Sequence, residues 1–278
     1  MKILILGNKG MLGHVVERYL MEKEYDVVGT DRTEIDVTDY ESMRNKIIAI
    51  RPEVIINCTG ALGPCKDKEK QVLVNICAPR YLQYLSKKLA WKPKIIHIST
   101  NCVFKDIGPH GIEEVPDATN LYGQCKAYGE IVDDHNLTIR TSITGPELKV
   151  GKGLNLFDWF VHQSPNPPDV ADGYVNAFWN GVSTLELAKF IEACIRTQDG
   201  PIKADGLDPL KITGLIHFFS ETVNKYDFVC MLNELYDLKK SIRPVVKQGI
   251  HSSILSDGRV SPRTIKDQFK EMKDWYKK

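Results

Sequence analysis

The chain has 278 residues, of which 42% are hydrophobic and 26% charged, an ordinary balance for a globular protein with one large domain or two unequal ones. Its net charge of +1 gives no reason to expect nucleic acid as a partner. No apolar run approaches the ~18 residues of a membrane span, and the first residues lack a secretory signal pattern. Seven cysteines without a Cys-x-x-Cys pair favour reduced thiols, so we expect a cytoplasmic protein that does not enter the membrane.

The first hundred residues alternate between short β-branched runs and amphipathic segments. The pattern predicts strands over 2–6, 26–30, 54–58 and 95–99, separated by helices over 11–23, 40–50 and 71–89. Such alternation predicts an α/β fold with a doubly wound parallel sheet, covered by helices on both faces. Because ligands bind at the carboxyl ends of parallel strands, we expect Gly7, Asp31, Cys58 and Thr100 to lie around one crevice.

The second half of the chain is less regular. A strand is predicted over 138–140, and turn-rich connections follow at 145–146, 151–153 and 164–168. Later segments predict a helix over 182–196, a strand over 215–219, a helix over 225–236 and a charged helical tail from 261. We therefore expect a dinucleotide-binding domain over 1–145, joined by part of 173–200, and a smaller lobe over the crevice made of 146–172 and 201–278.

The loop after the first predicted strand has the spacing Gly7-x-x-Gly10-x-x-Gly13. Glycine permits a tight turn, close approach of the backbone to a pyrophosphate, and packing of the helix on the strand. The N-terminus of the next helix then faces the phosphates. The position of this loop between a strand and a helix predicts a dinucleotide site, which also includes Lys9, Met11 and Leu12.

The end of the second predicted strand carries Asp31 and Arg32, which favour different cofactors. A carboxylate here can hold the adenosine ribose diol of NAD, whereas an arginine can bind the 2′-phosphate of NADP. Lys9 adds a positive charge in the glycine loop. The sequence thus predicts NADP(H) or NAD(H) as cofactor, with a slight preference for NADPH.

The pattern Tyr-x-x-x-Lys occurs four times, at Tyr19/Lys23, Tyr84/Lys88, Tyr122/Lys126 and Tyr236/Lys240, so position in the fold must decide among them. Tyr122/Lys126 follows both the glycine loop and the strand-end residue Thr100. Residues four apart share a helix face, so phenol and ammonium can share a site. Acid–base work near pH 7 would require the pKa of Tyr122 to fall by about three, roughly 4 kcal/mol, which Lys126 and a cationic nicotinamide ring could supply. Thr100 could hydrogen-bond the same substrate oxygen.

Several segments carry a family resemblance: Ile98-Ser-Thr-Asn-Cys-Val-Phe104, Tyr122-Gly-Gln-Cys-Lys-Ala-Tyr-Gly-Glu130, Ile139-Arg-Thr-Ser142, Ile35-Asp-Val-Thr-Asp39, Asn57-Cys-Thr-Gly60 and Val74-Asn75. Together they resemble the extended short-chain dehydrogenase/reductases, and most of all the dTDP-4-dehydrorhamnose reductase group. The resemblance implies a Rossmann-type domain, a C-terminal substrate-binding lobe, and Thr100, Tyr122 and Lys126 as catalytic residues. The implied cofactor contacts are Gly7, Gly10, Gly13, Asp31, Arg32, Asp36, Val37, Thr59, Gly60, Asn75 and Lys126, to which Cys58 and Tyr122 are added because they border the same crevice.

The chain departs from the family pattern at two positions of the sugar site. Asn101 stands where the family usually has aspartate, which would remove a charge beside the sugar. Ile143 stands where the rhamnose enzymes tend to carry tryptophan, so a stacking contact would be missing or supplied by Trp179. The candidate substrate-binding residues are Asn101, Cys102, Val103, Phe104, Ser142, Ile143, Trp179 and Asn180.

The resemblance implies reduction of the C4 keto group of a nucleotide-linked 4-keto-6-deoxy sugar, in deoxysugar or rhamnose biosynthesis, with a homodimer as the expected assembly. A 4,6-dehydratase is disfavoured, because Asn101 and Cys102 cannot replace the Asp-Glu pair that removes water. Two alternatives stay open: a sugar-nucleotide epimerase or bifunctional epimerase/reductase, and a non-catalytic dinucleotide-binding regulatory subunit like that of methionine adenosyltransferase. The histidines lack metal-binding spacing, so no bound metal is expected.

Overall fold

The structure, a computed structural model, describes residues 1–63, 65–105, 108–148, 155–163, 170–196, 212–249 and 252–277. The predicted turn-rich segments 151–153 and 164–168 lie outside these ranges. The strands are β1 (Lys2–Leu6), β2 (Asp26–Thr30), β3 (Val54–Asn57), β4 (Lys94–Ile98), β5 (Gly108–His110), β6 (Leu137–Arg140), β7 (Ile143–Thr144), β8 (Val170–Tyr174), β9 (Phe178–Trp179), β10 (Val182–Ser183), β11 (Gly214–Phe219), β12 (Val223–Asn224), β13 (Ser241–Val245), β14 (Ser253–Leu255) and β15 (Arg259–Val260).

The helices are α1 (Gly13–Glu22), α2 (Tyr40–Ile50), α3 (Lys68–Val72), α4 (Ala78–Lys88), α5 (Leu121–Gly129), α6 (Leu156–Asp158), α7 (Thr184–Arg196), α8 (Lys225–Leu235) and α9 (Ile265–Tyr276). Two π-helical turns, Leu73–Cys77 and Trp159–Gln163, and a 3-10 turn, Asn101–Val103, lie between them. Among the described helices, none is long and apolar enough to cross a membrane.

The main sheet has seven parallel strands in the order β15-β11-β6-β4-β3-β1-β2. From β1 the chain goes outward to β2 and then returns to β3 on the other side of β1. This arrangement confirms the predicted doubly wound parallel sheet. The carboxyl ends of β1 and β3 flank the point where the winding reverses, which is where sheets of this kind bind ligands.

Alternate side chains of the central strands fill two cores, one on each face of the sheet. Ile3 and Ile5 of β1 face the core that α1, α7 and α9 cover, whereas Leu4 and Leu6 face the core under α2 and α4. All four side chains are buried. Burial on both faces explains why the parallel strands are continuous hydrophobic runs, in contrast to the alternation of a half-exposed strand.

Part of the region 201–278, which sequence analysis assigns to the smaller lobe, belongs to the main sheet. β11 pairs in parallel with β6, so that Ile216 lies opposite Ile139 and His217 opposite Arg140. Local periodicity predicts this strand but does not reveal its partner, which lies more than 70 residues earlier. Outside the main sheet, β8 pairs with β13 and β9 with β12, and α8 packs against both pairs.

The helix predicted over 71–89 is three segments: the end of α3, the first π-helical turn, and α4. Pro79 stands in the first turn of α4 and has no N–H to donate to the carbonyl of Asn75, four residues earlier. A Cβ on Gly129 of α5 would lie 1.8 Å from this carbonyl oxygen. The break in the helix therefore leaves a backbone surface against which α5 packs closely.

The C-terminal helix α9 docks on α1, the helix that follows the glycine loop. The indole of Trp275 donates to Glu22 Oε2 at 2.6 Å, and the guanidinium of Arg18 lies 4.1 Å from the indole ring centre. His14 Nε2 lies 2.7 Å from the hydroxyl of Tyr276. The charged tail thus contributes an apolar face to the core beneath the predicted cofactor helix.

A buried ion pair joins α5 to the sheet. Arg140, at the end of β6, donates to both carboxylate oxygens of Glu130 at 2.7 and 2.8 Å, and the two side chains are only 3% and 6% exposed. Ser99 donates to the same carboxylate at 2.7 Å, and Arg140 Nη1 lies 3.3 Å from His217 Nε2 on β11. Glu130, which directly follows α5, is therefore connected to β4, β6 and β11.

Arg140→Met is expected to lower the free energy of unfolding by about 3–5 kcal/mol, because it leaves the Glu130 carboxylate buried without its partner. Urea denaturation measures the loss. Arg243→Met is the matched control: Arg243 pairs with Asp172 at 2.7 Å, but both side chains are largely exposed, so less than about 1 kcal/mol should be lost. Equal losses in the two variants would contradict a structural role of the buried pair.

Candidate active site

The glycine loop folds over the end of β1. Gly7 has φ +83°, a left-handed conformation that favours glycine, and its N–H donates to the carbonyl of Thr30 at 2.8 Å. A Cβ on Gly13 would lie 2.1 Å from the carbonyl oxygen of Gly7, so only glycine lets α1 start this close to β1. Among the described residues, no side chain caps the N-terminus of α1. The N–H groups of His14, Val15 and Val16 donate to the carbonyls of Gly10 and Leu12, so an anion at the strand end would meet the N–H groups of the residues just before them, from Met11 to Gly13.

The carboxylate of Asp31 is already engaged within the protein. Its Oδ2 lies 2.5 Å from Lys9 Nζ, and its Oδ1 accepts hydrogen bonds from the backbone N–H and the hydroxyl of Thr33. The hydrogen bonds from Lys9 and Thr33 hold the pKa of Asp31 well below its usual range. Arg32 lies beside it with a side chain 70% exposed, 3.3 Å from Asp36. Two cations thus flank the position where an adenosine ribose would lie.

A pocket of about 400 Å³ opens between the glycine loop and the ends of β2 and β3. Sequence analysis names many of its lining residues: Gly7, Gly10, Asp31, Arg32, Asp36, Val37, Cys58, Thr59 and Gly60. Seven further lining residues were not predicted as cofactor contacts: Ile35, Thr38, Asp67, Glu69, Lys70, Leu73 and Val74. The segment 67–74 follows β3, and its position after a strand end was the available signal. Backbone, carboxylate and cationic groups around an apolar floor fit the adenosine half of a dinucleotide.

Asn75 holds the loop after β3 in place. Its side-chain amide donates to the carbonyl of Ala61 at 2.8 Å, and its Oδ1 accepts the N–H of Ala61 at 3.0 Å. The side chain is 1% exposed. Asn75, predicted as a cofactor contact, therefore positions the Thr59–Gly60 backbone that lines the pocket.

Helix α5 brings Tyr122 and Lys126 to the same edge of the sheet. Asn120 caps it by accepting the N–H of Gly123 at 2.8 Å. A Cβ on Gly123 would lie 2.2 Å from the carbonyl oxygen of Cys102, so this glycine lets the helix press against the 3-10 turn that follows Thr100. The Thr100 hydroxyl accepts the N–H of Cys102 at 3.1 Å and lies close enough to the phenol of Tyr122 to lower its pKa.

Contacts within the protein raise the pKa of Tyr122, opposite to the predicted fall, and lower the pKa of Lys126. Burial raises the pKa of Tyr122, and only the nearby Thr100 hydroxyl opposes it. Burial lowers the pKa of Lys126 to about 8, although the nearby Glu130 carboxylate acts against this. The Lys126 ammonium donates to the carbonyl of Ile98 at 2.7 Å. The expectation that Lys126 lowers the pKa of Tyr122 is therefore not met by the protein's own side chains.

Four candidate substrate residues make contacts within the protein. Val103 and Phe104 have no accessible surface, and Phe104 stacks on His110 with ring centres 4.2 Å apart. The Asn101 amide donates to the carbonyl of Ser253 at 2.7 Å, and the Asn180 amide donates to Leu255 at 2.7 Å. These side chains fasten β14 to the site. An aspartate in place of Asn101 would set two acceptor oxygens against each other, which accounts for the departure from the family pattern.

The remaining four candidate substrate residues keep part of their surface exposed. The Trp179 indole donates to Ser142 Oγ at 2.7 Å and packs on Phe228 with ring centres 5.0 Å apart. Ser142, Ile143, Trp179 and Cys102 are each partly exposed. The hydrogen bond between Trp179 and Ser142 joins β9 to the segment between β6 and β7. Together with the contact to Phe228, it fixes the orientation of the indole ring.

The competing Tyr-x-x-x-Lys pairs lie elsewhere. Lys88 lies 5.9 Å from the ring of Tyr84, which is 52% exposed on α4, and Lys23 lies 5.6 Å from the ring of Tyr19. Lys240 donates to the carbonyl of Phe160 at 2.8 Å. Position in the fold thus distinguishes Tyr122/Lys126. Within the described part of the chain, no group of three or more His, Cys, Asp or Glu residues could hold a metal ion.

Comparison with known families assigns the chain. The RmlD substrate binding domain matches residues 1–143, which is 143 of 278 residues and more than half of the chain. The chain belongs to this family. A dTDP-4-dehydrorhamnose reductase from Bacillus anthracis, solved in complex with NADP, superposes with a TM-score of 0.79 at 17% identity and covers 99% of each chain. The Rossmann-type extended short-chain dehydrogenase/reductase fold is thereby confirmed.

Curated relatives of this RmlD-family chain fall into two groups. The dTDP-4-keto-6-deoxy-D-glucose reductase of Streptomyces niveus is 29% identical over 205 residues, covering 69% of this chain and 68% of that protein. The methionine adenosyltransferase 2 subunit beta of Xenopus tropicalis is 25% identical over 272 residues, covering 90% of this chain and 76% of that protein. The chain spans about half the length of other curated relatives, from 45% to 52%.

The low pKa of Lys126 predicts a pH-dependent stability. Between about pH 8 and 10.5 the unfolded chain carries a proton on Lys126 that the folded chain has lost, so the free energy of unfolding rises with pH by at most about 1.4 kcal/mol per pH unit. Urea denaturation at about pH 7.5 and about pH 9.5 should show this increment in the wild type and not in Lys126→Met. Lys88→Met, at an exposed position of α4, is the control and should behave as the wild type. An unchanged increment in Lys126→Met would contradict the prediction.

Proposed function

We propose that the chain is an NAD(P)H-dependent reductase of the C4 keto group of a nucleotide-linked 4-keto-6-deoxy sugar. The observation that carries the proposal is the convergence of Thr100, Tyr122 and Lys126 at the carboxyl edge of the sheet, beside the pocket of the glycine loop. The curated reductases of this family support the substrate class. The free thiols of all seven cysteines fit a reducing compartment, and a cytoplasmic location is part of the proposal.

In this mechanism the substrate's carbonyl oxygen accepts hydrogen bonds from Thr100 and Tyr122. When bound, the reduced nicotinamide supplies the hydride, which adds to C4 as the carbonyl π bond becomes an alkoxide. Tyr122 gives its phenolic proton to that oxygen, and Lys126 would hold ribose hydroxyls. A phenol is protonated at neutral pH even at its ordinary pKa of about 10, and burial raises the pKa of Tyr122 further, which makes it a weaker acid. The tyrosinate left by proton transfer would therefore need the positive charge that the nicotinamide carries once the hydride has left it.

The cofactor site supports NADPH over NADH. Both carboxylate oxygens of Asp31 are occupied by Lys9 and Thr33, which weakens its capacity to hold a free ribose diol. Arg32 is 70% exposed, so it can turn toward a 2′-phosphate at little cost while Lys9 stays paired with Asp31. Of the remaining predicted cofactor contacts, Met11 and Leu12 directly precede α1 and would contribute through their backbone N–H groups.

The long alignment with methionine adenosyltransferase 2 subunit beta supports a second candidate function. That relative matches 90% of this chain, more than the curated reductase of Streptomyces niveus does. A regulatory subunit would bind dinucleotide without consuming it. The placement of the Tyr122 phenol near the Thr100 hydroxyl favours the reductase, because an aligned proton donor has no use in a dinucleotide sensor.

We infer that the chain forms a homodimer through α4 and α5. Tyr84 on α4 is 52% exposed, and Tyr128 and Val132 at the end of α5 are 68% and 55% exposed. Arg80 donates to the carbonyl of Tyr128 at 2.9 Å, which joins the two helices into one surface. Exposed aromatic side chains on a rigid helical surface are typical of an interface.

The double variant Tyr84→Glu/Tyr128→Glu is expected to be monomeric, because an interface would bury carboxylates without partners. Sedimentation velocity measures the mass. Val246→Glu, at a position 72% exposed outside α4 and α5, is the control and should stay dimeric. A wild-type protein that sediments as a monomer would contradict the proposed assembly.

Tyr122→Phe is expected to lower kcat for sugar reduction by about 100-fold or more, because it removes the proton donor while leaving the packing of the ring. The assay mixes protein with NADPH or NADH and dTDP-, UDP- or GDP-linked 4-keto-6-deoxy sugars and follows loss of reduced nicotinamide absorbance. Tyr84→Phe removes the hydroxyl of a competing Tyr-x-x-x-Lys pair and should retain wild-type activity.

Three outcomes of this assay separate the candidates. Turnover that Tyr122→Phe abolishes supports the reductase. Turnover that Tyr122→Phe leaves intact rejects the assigned proton donor. Tight NADPH binding without turnover across the panel favours the regulatory subunit.

A further inference from the structure

Lys225, the first residue of α8, is fixed at the edge of the reaction site by a series of hydrogen bonds. Its backbone N–H donates to the carbonyl of Ala177 at 2.8 Å. The residue after Ala177 is Phe178, whose backbone N–H donates to Ser252 Oγ at 2.6 Å. Ser253 in turn accepts the Asn101 amide at 2.7 Å. Lys225 therefore has a defined position relative to the 3-10 turn that begins at Asn101.

The ammonium of Lys225 is half-buried and, within the residues that the structure describes, forms no hydrogen bond or ion pair. The lysines with buried side chains differ in this respect: Lys94, Lys126 and Lys240 each donate to a backbone carbonyl. Burial lowers the pKa of Lys225, and the group that acts against this shift is the thiol of Cys102. A partly desolvated cation without a partner is costly unless something else neutralises it.

The carboxylates nearest to Lys225 in sequence are committed elsewhere. Asp227 accepts the side-chain amide of Asn224 at 2.7 Å, and Glu221 accepts the N–H of Ile265 at 2.8 Å. Neither contributes to the pKa shift of Lys225. Within the described residues, neither carboxylate therefore neutralises the Lys225 ammonium, which can pair with an anionic group of a bound ligand.

Cys102 connects Lys225 to the reacting groups. Its backbone N–H donates to Thr100 Oγ1 at 3.1 Å, so Cys102 stands two residues beyond the hydroxyl expected to bind the substrate oxygen. The thiol lies near both Tyr122 and Lys225, since a charge on it would raise the pKa of each. Lys225 thus borders the space in which a substrate held by Thr100 and Tyr122 would lie.

We propose that Lys225 is a substrate-binding residue that pairs with an oxyanion of the sugar nucleotide on the Cys102 side of the site. This inference rests on the proposed function. A 6-deoxy sugar carries no carboxylate, so the diphosphate is the expected oxyanion; a carboxylate on the sugar ring would present the same chemistry to an ammonium and would indicate a different sugar. The residue determines affinity and substrate class, while Thr100, Tyr122 and Lys126 carry the reaction.

The test uses dTDP, UDP-glucose and UDP-glucuronate as binding probes in titration calorimetry, with wild type, Lys225→Met and Lys225→Arg. If Lys225 binds the diphosphate, Lys225→Met weakens all three probes by about 10- to 100-fold; if it binds a ring carboxylate, only UDP-glucuronate is weakened. Lys225→Arg keeps the charge and should stay within a few-fold of wild type. NADPH affinity should be unchanged in both variants.

Lys266→Met is the matched control, because Lys266 pairs with Glu234 at 3.3 Å on an exposed surface. Acetylation of wild-type amines, read by mass spectrometry, tests the role without a variant: dTDP should protect Lys225, and NADPH alone should not. Unaltered probe affinity in Lys225→Met, or no protection by bound dTDP, overturns the role of Lys225. A wild-type protein that binds NADPH but none of the three probes overturns both the role of Lys225 and the proposed function. Probe binding that Lys225→Met weakens, in a protein that does not turn over any sugar, supports the role of Lys225 and rejects the reductase.

Discussion

The geometry of the site depends on the buried pair between Glu130 and Arg140. Removing both charges from water is costly, and the cost is offset only because every donor is well placed. Glu130 receives hydrogen bonds from Arg140 and Ser99, while Arg140 also contacts His217 and lies 5.3 Å from the ring centre of Phe104. Since these partners come from β4, β6, β11 and the 3-10 turn, only one placement of the end of α5 satisfies them all. The ion pair thus fixes the position of the end of α5, at some cost to the free energy of folding.

Close backbone contacts fix the rest of α5. Gly123 packs against the carbonyl of Cys102, and Gly129 packs against the carbonyl of Asn75. Both contacts are so close that a Cβ on either glycine would overlap the carbonyl oxygen. Helix α5 is therefore pressed against the turn beyond Thr100 at one end and against the loop that lines the cofactor pocket at the other. Tyr122 and Lys126 project from a helix that is fixed at both ends. The placement of Tyr122 and Lys126 consequently depends on contacts of α5 with the turns that follow β3 and β4.

The sequence predicts what is local and misses what depends on a distant partner. The strands β1 to β4 follow from apolar runs and turn residues, and the meeting of Gly7, Cys58 and Thr100 follows from their place at strand ends. The membership of β11 in the main sheet is not predictable in this way, because its partner β6 lies more than 70 residues earlier in the chain. Asn101 illustrates the same limit. Its departure from the family pattern suggests altered sugar chemistry, yet its amide bonds Ser253, which lies 152 residues further along the chain.

The opposite pKa shifts of Tyr122 and Lys126 bear on the proposed proton transfer. Burial disfavours the charged form of each group, so it raises the pKa of the phenol and lowers that of the ammonium to about 8. At neutral pH the phenol is then neutral, while Lys126 still carries its proton in most molecules. A reduction would leave the tyrosinate and an oxidation would start from it, so burial opposes the same species in both directions. The environment of α5 therefore leaves the stabilisation of a tyrosinate to charge that a bound cofactor would bring.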